Sequence, residues 1–400
     1  MTAFYKKPYY RMRQALMGAF LGKPQPKPMV FIGPDSCLQL CQAIGRFGLG
    51  RILVVTDKPL LDLGVLNPAL EALRQAGVEP VIYDGVQPDP TQEVVDNGIA
   101  CYRQGNCDSV LAFGGGSSID AAKVIALAAG NNCRAEDCIG AGKCKLPAAP
   151  LYAVPTTAGT GSEATFIAVI SNNETHAKDA VIDKFIIPRA AALDPQLMRG
   201  LPPHITAATG LDALTHAIES YIGRWSSEET DYYGLSACRL VFDNLPEACR
   251  NGDNMEARET MALASFYGGL AITNALVGYA HAISHNLGAK YGVPHGLGNA
   301  LALPHVLELM QDSAADKMAD IAVHCGMGER SEPDAQLARK LVDRVWALND
   351  EVGIPRTTDV IRQEDVAGLV EAVLIEGGNY PSPRFLSKAE CTDIVSKLRG

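Results

Sequence analysis

Residues 109 to 123 read SVLAFGGGSSIDAAK, and the order of residue types here decides the fold of the chain around them. Ser109 to Phe113 is a short apolar run of strand length. Gly114, Gly115 and Gly116 end it, and Ser117 opens a helical run that carries Asp120, Ala121, Ala122 and Lys123. A buried strand that turns through glycines directly into a helix is the repeating joint of an open parallel sheet. Glycines let the backbone come close to an anion. The first amides of the helix lack intrahelical partners, and the positive end of the helix dipole stands behind them. The turn Gly114 to Ser117, with Asp120 one turn further on, is therefore a candidate diphosphate cradle. An ordinary tight strand-to-helix turn is the competing reading.

Outward from this joint the same grammar repeats. Val30 to Ile32, Arg51 to Thr56, Pro80 to Tyr83 and Leu151 to Val154 are further strand candidates, each followed by Gly, Pro or Asp. Runs at Ala168 to Ser171 and Ala180 to Ile182 suggest a hairpin. The strand ending at Val154 runs into a second polar loop, Pro155, Thr156, Thr157, Ala158, Gly159, Thr160, Gly161 and Ser162. On an open parallel sheet, ligands bind outside the carboxyl ends of strands, and both loops leave such ends. Hydroxyls of this kind are also preferred helix caps. A third strand ends at Asp57, whose carboxylate suits both ribose hydroxyls of an adenosine and opposes a 2′-phosphate, which favours NAD over NADP. A cap or turn role for Asp57 is the alternative.

From Pro203 onward the β-type runs stop, and Leu211, Leu214, Ile218 and Ile222 recur at helical spacing. The chain thus reads as residues 1–28, an N-terminal extension; 29–200, an α/β dinucleotide-binding domain with a mostly parallel sheet; and 201–400, an all-helical metal-binding domain. Four of the eight histidines concentrate in the helical part, as His216, His281, His285 and His295. Asp212 and His216 stand at i and i+4, so both project from one helix face a turn apart. His281 and His285 repeat that spacing. On one straight helix His295 would lie on the order of 20 Å from His281, too far to share an ion. Gly288, Gly292 and Pro294 can break the helix and return the chain. Asp212, His216, His281 and His295 are thus candidate metal ligands. Three imidazoles and a carboxylate suit Fe(II) or Zn(II), and softness does not separate the two. Each histidine taken singly would more often be an ordinary core or surface residue.

Composition narrows the partners. Lys and Arg total 35 against 45 Asp and Glu, a net charge of −10 that repels phosphate backbones and argues against nucleic acid. No apolar run is long enough for a signal peptide or membrane span, so a cytoplasmic protein without membrane contact is expected. The 11 cysteines, an odd number without tight pairing, fit a reducing compartment. Cys133, Cys138 and Cys144 cluster, but their gaps exceed zinc-module spacing, and they read as incidental thiols. Residues 1–28, up to the proline-rich Pro24, Pro26 and Pro28, read as a frayed tail or a short helix lying on a partner.

Three ordered stretches resemble the iron-containing (group III) alcohol dehydrogenases: GGGSSIDAAK at 114–123, TAATGLDALTHAIESY at 206–221, and GYAHAISHNLGAKYGVPHGLGNALALPH at 278–305. The resemblance runs from about Met29 to the end. It implies a dehydroquinate synthase-like fold and an oxidoreductase that moves hydride between a primary or small secondary alcohol and NAD. It further implies metal ligation by Asp212, His216, His281 and His295, with iron ahead of zinc, and a proton relay at His285 near the nicotinamide. NAD contacts fall by resemblance on Asp57, Gly116, Ser117, Thr156, Thr157, Thr160, Thr165 and Lys178; Gly115 and Asp120 join them from the turn. A homodimer or higher homo-oligomer is usual in the family. Two departures stand out: Asp89 replaces the common Asn, and the first 28 residues exceed the usual start. Zinc-using relatives such as dehydroquinate synthase and glycerol dehydrogenase, or a non-catalytic NAD or metal sensor, are the alternative readings. The four aligned ligands argue against both. Phe166, Phe266, Ile272 and Leu276 are candidates for lining an apolar substrate pocket, or plain core. The particular alcohol is not legible.

Overall fold

The structure is a computed structural model and describes residues 6–21, 25–174 and 178–400. The strands are β1 (Met29–Ile32), β2 (Arg51–Asp57), β3 (Glu79–Val86), β4 (Ser109–Gly114), β5 (Gly140–Ala141), β6 (Leu151–Pro155), β7 (Ile167–Ser171), β8 (Lys178–Ile182) and β9 (Ala190–Leu193). Six of them form a sheet in the order β1-β9-β6-β4-β2-β3, with every neighbouring pair parallel. Its strands read as continuous apolar runs because both faces are covered. Leu53, Val55, Val110, Ala112, Leu151 and Ala153 face one core, which the helix Gly116–Asn131 completes with Ile119, Ala122 and Ile125. Their alternates Ile52, Val54, Leu111, Phe113, Tyr152 and Val154 face the other core, with Leu40, Ile44 and Leu73.

The five expected parallel strands are all present, and Pro80 sits on β3, an edge strand where a missing amide is tolerated. β9 was not foreseen as a strand. Its residues, Ala190 to Leu193, carry no β-branched side chain, yet all four are buried between β1 and β6. Small side chains suffice there because tertiary packing overrides propensity. The expected hairpin is β7 and β8, paired antiparallel from Ile167↔Ile182 to Ser171↔Lys178. Together with β5 it makes a second, three-stranded sheet.

This α/β unit comprises 25–201 with 253–269. The second unit is helical and comprises 202–252 and 270–400 with the N-terminal helix Lys6–Leu21. No single helix among the described residues is long and apolar enough to cross a membrane. The tail reading of the N-terminus gives way for residues 6–21, which form a docked helix. Gln14 is only 3% exposed and donates from Nε2 to the carbonyl oxygens of Gly378, at 3.0 Å, and Tyr380, at 2.6 Å. Arg11 donates to Ser382 O and Pro383 O and lies 4.2 Å over the Phe385 ring. Burying two carbonyls and a glutamine amide together satisfies both, which a frayed segment would not do. Residues 1–5 and 22–24, Pro24 among them, lie outside the described residues.

Candidate active site

Three helices of the second unit supply one cluster. Pro203–Ile222 carries Asp212 and His216, Tyr279–Tyr291 carries His281 and His285, and His295–His324 begins on His295. The break between the last two falls at Gly292, whose left-handed φ of 69° closes the preceding helix, while Pro294 caps the next. Gly288, expected to share in the break, stays within the helix. The returning helix comes very close to its neighbour: a Cβ on Gly296 would stand 2.3 Å from Ala208 O. Only glycine permits that approach, and it sets His295 beside Asp212.

Ligand atoms of Asp212, His216, His281 and His295 all lie within 4.8 Å of one another, so the four can hold one metal ion. From Asp212 Oδ1 it is 3.8 Å to His216 Nε2, 3.8 Å to His281 Nε2 and 3.4 Å to His295 Nε2. The His216 and His281 rings stack at 4.7 Å. His281 Nε2 is buried and has no hydrogen-bond partner. Burial, with the neighbouring histidines adding to it, holds His281 well below the usual imidazole range and therefore neutral. An unpaired buried lone pair is costly unless something else occupies it. Asp212, His216 and His281 are enclosed, whereas 39% of the His295 side chain is exposed, so the ring of donors opens on that side.

A further layer orients these donors. Glu219 accepts from Gly278 N at 2.7 Å and Ala280 N at 2.8 Å and meets His281 Nδ1 at 2.7 Å. Burial pushes the Glu219 carboxyl up to about 7, opposed by those same bonds. With its Nδ1 proton engaged, His281 presents a bare Nε2. Asn299 Nδ2 donates to Asp212 Oδ1 at 2.7 Å. Ser284 Oγ bonds His295 O at 2.7 Å and lies 3.3 Å from His295 Nδ1. His285 stands apart from the four, its ring 5.1 Å from that of His295, and its Nδ1 meets Glu376 Oε1 at 2.6 Å. Tyr380 also donates to Glu376 Oε1, at 2.7 Å, and burial raises its hydroxyl well above the usual phenol range.

These second contacts were not singled out from the sequence. Glu219 follows His216 by three residues, Ser284 follows His281 by three and Asn299 follows His295 by four, so each shares a face with a candidate ligand, and that spacing was the available signal. Glu376 and Tyr380 come from some 90 residues away and leave no local trace.

In the α/β unit the two polar loops lie side by side. β4 and β6 are neighbours with Gly114 opposite Pro155, and Thr156 N donates to Gly114 O at 3.0 Å. A Cβ on Gly116 would fall 2.6 Å from Thr160 Cγ2, and one on Gly115 would fall 3.5 Å from Thr157 Oγ1. Gly115, Gly116, Ser117, Thr156, Thr157 and Thr160 thus converge at the start of the helix Gly116–Asn131. Asp57 ends β2, and its Oδ1 accepts from Leu60 N at 2.9 Å. The cap role weighed for it is therefore present, on one of its two oxygens.

Three other candidates are tied up within the protein. Asp120 accepts from Ser162 Oγ through one oxygen and from Val169 N, at 2.9 Å, through the other, which spends its carboxylate on joining the helix to the second loop and β7. Fully buried Lys123 donates to Ser162 Oγ at 3.0 Å, Thr165 Oγ1 at 2.8 Å and Ile167 O at 2.7 Å. Burial lowers its ammonium to about 8, against the pull of Asp120 and Glu163. Thr165 is therefore a partner of Lys123, and Lys178 pairs with Asp89. Asp89 sits in the left-handed region at φ 58°, which Asn and Asp tolerate best, so the replacement leaves the turn feasible. Phe166 and Phe266 are buried.

Residues 26–195 match the family described as "Iron-containing alcohol dehydrogenase", and 206–398 match "Fe-containing alcohol dehydrogenase family, C-terminal". The chain is 39% identical to alcohol dehydrogenase 4 of Schizosaccharomyces pombe over 88% of this chain and 83% of that one. It is 34% identical to the NAD-dependent methanol dehydrogenase of Bacillus methanolicus over 92% and 97%. Among solved structures, that of a 1,3-propanediol oxidoreductase superposes with a TM-score of 0.90 at 36% identity, covering 94% of this chain and 99% of the other.

Proposed function

The chain belongs to the iron-containing alcohol dehydrogenase family, and from that premise we propose that Asp212, His216, His281 and His295 hold Fe(II) and that His285 handles the proton. The protein is an NAD-linked oxidoreductase that interconverts an alcohol and its carbonyl compound. The observation that carries the metal assignment is His281 Nε2, buried without a partner and facing a carboxylate and two more imidazoles while Glu219 pins its other nitrogen. The donor set fits Fe(II), and family membership favours it over Zn(II), which the same donors would accept. When bound, the ion supplies Lewis acidity to the substrate oxygen.

The chain's own residues do the rest. Glu219 fixes the tautomer and angle of His281, and Asn299 holds Asp212. His285 gives its Nδ1 to Glu376, which leaves Nε2 as the atom that exchanges a proton. The turn Gly114 to Ser117 and the loop Thr156 to Thr160 take the diphosphate of NAD, with Asp57 toward the adenosine ribose. Asp120, Thr165 and Lys178 keep this loop system in shape. We propose the division of labour between 29–200 for the cofactor and 201–400 for the metal, with 253–269 grouping with the α/β unit. A primary alcohol and its aldehyde are the preferred substrate class. Eleven cysteines without a disulfide support a cytoplasmic setting, and a homo-oligomer is proposed on family resemblance alone.

The test is to follow NADH absorbance across a panel of alcohols and aldehydes, with NADP in parallel, alongside elemental analysis of anaerobically purified protein. One equivalent of iron and turnover with NAD are expected. Metal-loaded protein that turns over no alcohol or aldehyde would sink the reading.

A further inference from the structure

Cys133, Cys138 and Cys144, which read as incidental thiols from their spacing, lie together in the fold. Cys133 follows Asn132, which closes the helix Gly116–Asn131 in a left-handed conformation at φ 51°. Cys138 ends the short 3-10 turn Glu136–Cys138, and Cys144 comes just past β5 and Gly142. The folded path brings the thiols together: Cys133 Sγ lies 3.7 Å from Cys138 Sγ, Cys144 Sγ lies 3.6 Å from Cys138 Sγ, and all three fall within 4.8 Å. We propose that these thiols form a second metal site, chemically distinct from the Asp and His ring, which takes one thiophilic divalent ion of the zinc group.

Distances and donor chemistry support this. A zinc ion with sulfur ligands at about 2.3 Å in tetrahedral array separates those sulfurs by about 3.8 Å, close to both measured edges. Cys138 is buried, while Cys133 and Cys144 are half-buried. On binding, three S–H protons pass to solvent and three sulfur–metal bonds form, with no electron transferred. Soft thiolates select an ion that the nitrogen and oxygen ring would not prefer. A disulfide would need an oxidant, a contraction to about 2.05 Å, and would use only two of the three sulfurs. The ion would tie the end of the helix Gly116–Asn131 to the segment that leads into β6, steadying from behind the helix whose first turn is the phosphate cradle.

Titration of the reduced, full-length protein with Cd(II) tests this, because thiolate-to-cadmium charge-transfer absorption reports thiolate ligands only and is silent for Asp and His. One equivalent should develop the band. Alkylation of Cys133 and Cys144 should slow at least about tenfold, while Cys101 and Cys249, also half-buried, react as before. Cys144→Ser and Cys133→Ser each change a half-buried position. Each should weaken Cd(II) binding by at least about tenfold, since loss of an outer-sphere partner alone costs that much. Absence of the band would overturn the proposal. So would a band retained at full affinity in both variants, or a Cys133–Cys138 disulfide in aerated protein whose reduced form shows no band.

Discussion

Replacing Glu219 by Gln separates the metal ring from the groups that orient it. The carboxylate now receives three donors, Gly278 N and His281 Nδ1 at one oxygen and Ala280 N at the other. An amide has a single acceptor oxygen. If that oxygen serves Gly278 and His281, the amide NH2 faces the Ala280 N–H, and two buried donors oppose each other at a cost of about 1 to 3 kcal/mol. If the amide flips, its NH2 donates to His281 Nδ1, and the imidazole proton moves to Nε2, the atom that should face the ion. Either arrangement weakens the site without touching a ligand. Outer-sphere changes of this kind cost about 10- to 100-fold in metal affinity, or about 1.4 to 2.7 kcal/mol. Anaerobic competition against a chelator, with occupancy read by elemental analysis, measures that number, and far-ultraviolet circular dichroism confirms that the variant is folded. A folded Glu219→Gln protein holding iron as tightly as the wild type would refute the orienting role. So would a loss of activity at full metal occupancy and unchanged affinity.

Three other perturbations read different parts of the molecule. His285→Ala should slow turnover by about 100-fold or more and leave metal content unchanged; loss of the metal would instead make His285 a ligand. Gly296→Ala places a Cβ 2.3 Å from Ala208 O, which must push the His295 helix away from Asp212. The expected results are a stability loss of about 1 to 3 kcal/mol by thermal unfolding and weaker metal binding. Lys123→Met probes the buried ammonium. Its folded pKa of about 8 lies below the unfolded 10.5, so the unfolded chain holds more protons in that window and stability rises with pH across it. Between pH 8 and about 9.5 the wild type should gain about 1.5 kcal/mol relative to the variant in denaturant unfolding, and equal slopes would contradict the burial argument.

The sheet was legible because its strands are buried on both faces and punctuated by Gly and Asp, as the stretch from Ser109 to Gly116 shows. β9 was not, since an alanine run has no strand signature until two neighbours enclose it. A shared ion among Asp212 and the histidines was legible from one i,i+4 Asp/His pair and a helix break, which rests on Gly292 and not on Gly288, while the family resemblance set His285 apart from the ligands. Glu376 was out of reach because its contact with His285 is tertiary, spanning 91 residues. The proximity of the three thiols was not legible for a related reason. Ligand spacing in small zinc modules reflects tight knuckles, whereas here a helix end, a 3-10 turn and a loop after β5 do the gathering.

The docked N-terminal helix bears on how any shortened form of this protein should be read. Gln14 satisfies the carbonyls of Gly378 and Tyr380, which lie two and four residues past Glu376, the partner of His285. Proteolytic trimming or a bulky fusion that dislodges the helix would leave those carbonyls to find water and loosen the segment that aims His285, the proposed proton carrier, through Glu376. Such a form would keep every ligand and every cradle residue and yet turn over slowly. Its defect would mimic an active-site lesion while the sequence of the active site remained intact.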